Sequence, residues 1–153
     1  MDEMKRPGGL TVLAVINFIF AALSLLGAAG TILAKMFIGN APMGQMSEQQ
    51  AAQINAMQNM SGTTLSIIVG INIVYFLLLL LSGIGYLKLK RILGWILGNI
   101  YGVLAIIFPI LTTMGLFSDM PEKGFGVGAV LNLIYPVLTL ILLNTVFKKN
   151  LIN

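Results

Sequence analysis

The chain contains no cysteine and no histidine among its 153 residues, and only 9% of them are charged. Without cysteine there is no disulfide, no lipoprotein anchor and no palmitoylation, and the redox compartment is left unmarked. Without histidine, the serines of the apolar stretches, Ser24, Ser66 and Ser82, have no imidazole base, and no lysine lies at matching depth. An intramembrane hydrolase needs such a base or a metal cluster. Proton-coupled transporters and stator motors keep an acidic group or histidine inside the membrane, and here none is kept. Phosphate-binding glycine loops and dinucleotide fingerprints are missing too, because the glycine clusters fall inside apolar runs. The sequence is therefore read as a non-enzyme with no cofactor and no metal ligands, and its basic residues, spaced in twos and threes, exclude nucleic acid.

What the chain does contain is apolar length. Four stretches, about 10–34, 63–87, 92–117 and 125–147, carry no ionisable side chain in their interiors and cover about two thirds of the sequence. Each is long enough to cross a bilayer as a helix. Mean hydropathy is +0.95 and 58% of residues are hydrophobic, outside the range of soluble domains. The expected fold is all-α: one integral membrane domain over 1–153, a four-helix transmembrane bundle. The first run is far longer than the h-region of a cleaved signal peptide.

The basic residues set the topology. Lys5 and Arg6 precede the first span, Lys88, Lys90 and Arg91 separate the second and third, and Lys148 and Lys149 follow the fourth. Only Lys35 and Lys123 lie on the other side, offset by Glu48, Asp119 and Glu122. The positive-inside rule then puts both termini and the 88–91 turn in the cytoplasm. That turn is so short that the second and third helices must be antiparallel neighbours. The outer loop, about 36–62, is the one connection with room for structure. Ser47 followed by Gln50 reads as a capping box opening a short amphipathic helix through about Met60.

The halves resemble each other weakly. Asn72-x-x-Tyr75 recurs as Asn132-x-x-Tyr135, each tyrosine 13 residues before a cytoplasmic lysine, Lys88 or Lys148. Both halves start from the cytoplasm, so such a 2+2 repeat is parallel.

Inside the membrane, small residues and polar groups carry helix association. Gly94, Gly98 and Gly102 form a doubled G-x-x-x-G stripe, Gly124 and Gly128 repeat the spacing, and Ser66 with Gly70 does so in the second helix. Two uses are open: packing within one bundle, or an outward face that docks another subunit. Each span also holds an asparagine: Asn17, Asn72, Asn99 and Asn132. Counted from the cytoplasmic charges, Asn17 and Asn99 lie about 11 and 8 residues in, and Asn72 and Asn132 about 16. At about 1.5 Å per residue these form two layers, and the natural pairings are Asn17 with Asn99 and Asn72 with Asn132. Pro109 and Pro136 remove donors to the carbonyls of Ala105 and Asn132, so the third and fourth helices are expected to kink.

The opening Arg6-Pro-Gly-Gly-Leu-Thr-Val-Leu-Ala14 resembles that of small uncharacterised prokaryotic four-span integral membrane proteins, which begin Arg-Pro-x-Gly-x-Thr-x-Leu-Ala. The resemblance covers that stretch and the four-span layout. It implies a multi-pass protein of the cytoplasmic (inner) membrane and no known activity. The function expected from packing devices without chemistry is an accessory or scaffold subunit, its partners the lipid bilayer and other membrane subunits or further copies of itself. The alternative is a small oligomeric transporter or channel with Asn72, Asn99 and Asn132 lining a neutral path. A third reading is Cu(I) handling by Met43-x-x-Met46 and Met57-x-x-Met60 of the outer loop, since thioethers are soft ligands.

Overall fold

The computed structural model of the chain describes residues 7–37, 55, 58–114 and 127–151, with 113 and 127–132 described by their backbone alone. Among these residues there are four α-helices and no strand: α1 (Gly8–Phe37), α2 (Gly62–Leu87), α3 (Leu97–Thr113) and α4 (Val127–Thr145). A π-helical turn, Arg91–Ile96, leads into α3, and a 3₁₀ turn, Lys148–Leu151, follows α4. The segments Gly8–Phe37, Gly62–Leu87 and Arg91–Thr112 are each long and apolar enough to cross a membrane. At 1.5 Å per residue they extend about 45, 39 and 33 Å, against roughly 30 Å of hydrocarbon. In lipid a helix is the economical backbone form, because each N–H and C=O finds its partner within the segment. The outward surface agrees: Leu26, Ile92, Val12 and Val146 are all more than half exposed, a face that water would penalise and acyl chains do not. This is an integral membrane protein.

The helices pack as antiparallel neighbours in chain order. α1 and α2 meet along most of their length: Phe18 lies on Gly83, Asn17 on Ser82, Gly27 on Asn72, and the Lys35 ammonium reaches the carbonyls of Met60 (2.9 Å) and Gln58 (3.4 Å). A close backbone approach joins α2 to the π-helical turn, where Gly85 sits directly on Leu93 and Gly94. α4 closes the bundle by setting Leu140 on Gly102, Leu143 on Gly98 and Phe147 on Gly9. One core cluster, Leu10, Leu13, Ala14, Tyr86, Leu143, Phe147 and Leu151, lies near the basic end. A second, Ala21, Leu79, Tyr101 and Ala105, lies deeper.

Local signals explain the ends. Ser61 caps α2, its hydroxyl accepting from the Thr64 N–H at 3.2 Å. At the other end the Lys90 N–H reaches back to the Gly85 carbonyl at 2.9 Å, with Leu89 left-handed at φ 53°. That six-to-one closure is a Schellman turn built without glycine. Leu89 packs against the first core cluster, which offsets the steric cost of its conformation. The expected third helix thus begins as a π-helical turn rather than as regular α-helix, and ends at Thr113. α3 and α4 run continuously through Pro109 and Pro136. Most of the outer loop, including Ser47 and Gln50, lies outside the described residues; of the amphipathic helix expected there, Asn55, Gln58 and Asn59 are described, and all three are helical.

Candidate functional site

A buried polar cluster lies near the middle of the bundle. Asn17 is nine residues into α1, about 13 Å along its axis, and wholly buried. A carboxamide at that depth needs its hydrogen bonds met by protein. Its amide donates to the Ser82 hydroxyl at 2.7 Å, and its carbonyl accepts from the Tyr135 hydroxyl. Ser82 in turn donates to the Leu79 carbonyl at 3.1 Å. Three helices are joined through one side chain.

Two further hydroxyls border this network without joining it. Tyr86 lies beside Ser82 and Asn17, and Thr139 beside Tyr135. Both side chains are completely buried, and neither oxygen has a hydrogen-bond partner of regular geometry among the described residues. The Tyr86 hydroxyl instead rests on Gly98 of α3, where a Cβ would collide with it. All four tyrosines of the chain gather here. Tyr75 and Tyr135 flank Tyr101 with ring centroids 5.7 and 6.3 Å away, Tyr135 stacks on Phe20 at 4.7 Å, and Tyr75 donates to the Leu104 carbonyl at 3.1 Å. Membrane tyrosines commonly sit at the interfaces; here Tyr86 and Tyr101 are buried in the core, and Tyr75 and Tyr135 pack half-buried against it.

A second, shallower network joins α3 to α4. The Asn144 amide donates to the Asn99 carbonyl at 2.6 Å and to its own Leu140 carbonyl at 2.8 Å. Trp95 donates to the Asn144 carbonyl at 3.2 Å, and Asn99 donates to the Trp95 carbonyl at 2.7 Å. Arg91 stands over the Trp95 ring at 5.8 Å.

Asn17 and Asn99 are therefore not paired as their depths suggest. Asn17 meets Ser82 and Tyr135, not Asn99, which turns toward Asn144. Asn72 bonds the Ile68 carbonyl of its own helix at 2.9 Å and faces Gly27. Asn132 lies on α4 with its side chain outside the described residues. The stripe Gly94, Gly98 and Gly102 is buried against Gly85, Tyr86, Leu140, Leu143 and Leu151, so its use is internal. Gly128 lies in the first turn of α4, and Gly124 outside the described residues. Of the paired methionines only Met60 is described, and it is buried.

Depth counting overlooked Ser82, Tyr86, Thr139 and Asn144. A signal was present: Ser82/Tyr86 and Tyr135/Thr139 are polar pairs at i, i+4, each marking one inward helix face. Comparison with protein-family models, curated proteins and solved structures gave no match.

Proposed function

We propose that this is a non-catalytic, four-span protein of a prokaryotic cytoplasmic membrane, with both termini cytoplasmic, that serves as an accessory or scaffold subunit of a larger membrane complex. The observation that carries the reading is how the small residues sort. Gly85, Gly94, Gly98 and Gly102 are occupied by the chain's own helices, whereas a Cβ added at Gly30 of α1 or at Gly62 or Gly70 of α2 would meet no described atom within 4 Å beyond its own stretch of helix. Gly62, Ser66 and Gly70 repeat at four-residue spacing on α2. The Ser66 hydroxyl is satisfied by the Gly62 carbonyl at 2.9 Å, so this face presents close backbone approach without an unmet polar group. The docking face is accordingly the α1–α2 hairpin rather than the third-helix stripe.

Ser66→Leu and Gly70→Leu test it. Loss of co-purifying subunits, with the chain still folded and inserted, supports the reading; an unchanged native assembly refutes it. The basic end formed by Lys88, Lys90, Arg91, Lys148 and Lys149 supports the cytoplasmic orientation. The parallel 2+2 repeat belongs to the same reading, supported by Tyr75 and Tyr135 flanking Tyr101.

A second reading, a small oligomeric path for a neutral solute, is favoured by the hydroxyls of Tyr86 beside Asn17 and Thr139 beside Tyr135, which have no partner among the described residues. Solute-specific flux into liposomes, abolished by Asn17→Leu, supports it over the first.

A further inference from the structure

One face of the third membrane segment combines features that the subunit reading does not use. Lys88, Lys90, Arg91, Lys148 and Lys149 are all exposed at one end of the molecule, and none of the described residues is acidic. Leu151 packs on Gly94, which brings the 3₁₀ turn carrying Lys148 and Lys149 against the π-helical turn that begins with Arg91. From Arg91 a row ascends toward the bundle centre: the guanidinium over Trp95, the Trp95 carbonyl held by Asn99, then Val103 one turn further. Asn99, Ile100, Val103 and Leu104 line an open apolar groove of about 330 Å³. The groove starts eight residues beyond Arg91 and ends at the thirteenth, roughly 12 to 20 Å along the axis. Half the hydrocarbon thickness is about 15 Å. Cation, amphipathic ring, carboxamide and apolar groove follow one another in the order phosphate, glycerol, ester and acyl chain.

We propose that this face is a binding site for one anionic phospholipid, its phosphate at Arg91 and the neighbouring lysines and one acyl chain in the Asn99–Leu104 groove. Charge selects the occupant. A partner helix or a zwitterionic lipid fills an apolar groove equally well, but neither answers Arg91 on the same helix row and the four further exposed cations at that end of the molecule. The π-helical turn serves the site by setting Arg91 over Trp95, and such turns recur where helices carry function.

Trp95 is the single tryptophan of the chain and reports on the site directly. The full chain in zwitterionic mixed micelles is doped with phosphatidylglycerol brominated on its acyl chains, or with phosphatidylcholine bearing the same chains, and Trp95 quenching is followed. Half-quenching is expected at a lower fraction of phosphatidylglycerol, by roughly five-fold for each basic side chain engaged. Arg91→Gln should reduce that selectivity by about the same factor. Val103→Phe, a change at an exposed position that narrows the groove and leaves every cation in place, should lower it. Equal quenching by the two lipids overturns the proposal. So does unchanged selectivity in Val103→Phe, because attraction would then come from diffuse surface charge.

Discussion

Gly98→Ala tests the core at its tightest polar contact. A Cβ at residue 98 collides with the Tyr86 hydroxyl and comes within 2.7 Å of Leu143 Cδ1. Neither neighbour has room to yield, since Tyr86 and Leu143 are both completely buried. Overpacking of this kind costs about 1–3 kcal/mol, set against the several tenths that alanine gains over glycine in a helix. Tyr86→Phe alone behaves differently. Its hydroxyl has no partner of regular geometry among the described residues, so removing it leaves no acceptor orphaned and is expected to be neutral or slightly stabilising. In the double variant the collision with oxygen disappears, while the contact with Leu143 and a 3.2 Å approach to the ring Cζ of residue 86 persist, so part of the loss returns. The expected coupling is about 1 kcal/mol or more, read as a double-mutant cycle from unfolding in mixed micelles followed by helical circular dichroism. Wild-type stability in Gly98→Ala, or additivity within about 0.5 kcal/mol, would refute the placement of Tyr86 against α3.

Other substitutions probe separate contacts. Tyr135→Phe should cost about 0.6 kcal/mol, the average for interhelical hydrogen bonds in a membrane, and no more than about 1.7 kcal/mol. Asn17→Leu should cost more, because it also leaves Ser82 and Tyr135 without their partner; equal stabilities of the two variants would contradict the three-helix network. Gly85→Ala drives a Cβ into the backbone of Leu93 and Gly94 and should be more damaging than Gly98→Ala, whereas Gly30→Ala, whose Cβ meets no described atom within 4 Å, should be stabilising by the several tenths that alanine gains over glycine in a helix. The ranking of these glycine variants by unfolding midpoint checks both.

Apolar length made the helices legible: the four expected spans contain or closely overlap α1 to α4, because a membrane helix must be both long and apolar. Helix rotation was not legible in the same way. Asn17 and Asn99 lie at similar depth from the basic end, yet α1 has α2 and α4 as its neighbours, and Asn99 turns to Asn144. Depth follows from counting residues along one helix. Partner choice depends on which face two helices share, and hydropathy that is high all round a helix carries no such face. The glycines show the same limit. The spacing at Gly94, Gly98 and Gly102 announced close approach but not of what; Tyr86, Leu140 and Leu143 supply the answer. The π-helical turn was likewise unmarked, since it arises from Leu89 in a left-handed conformation at the close approach of Gly85 to Gly94.

The central claim, a subunit that works by docking, is tested most directly by extracting the native protein in mild detergent, sizing it and identifying what travels with it. The account predicts a stoichiometric larger complex containing at least one other membrane protein. A homogeneous species made of this chain alone would contradict it.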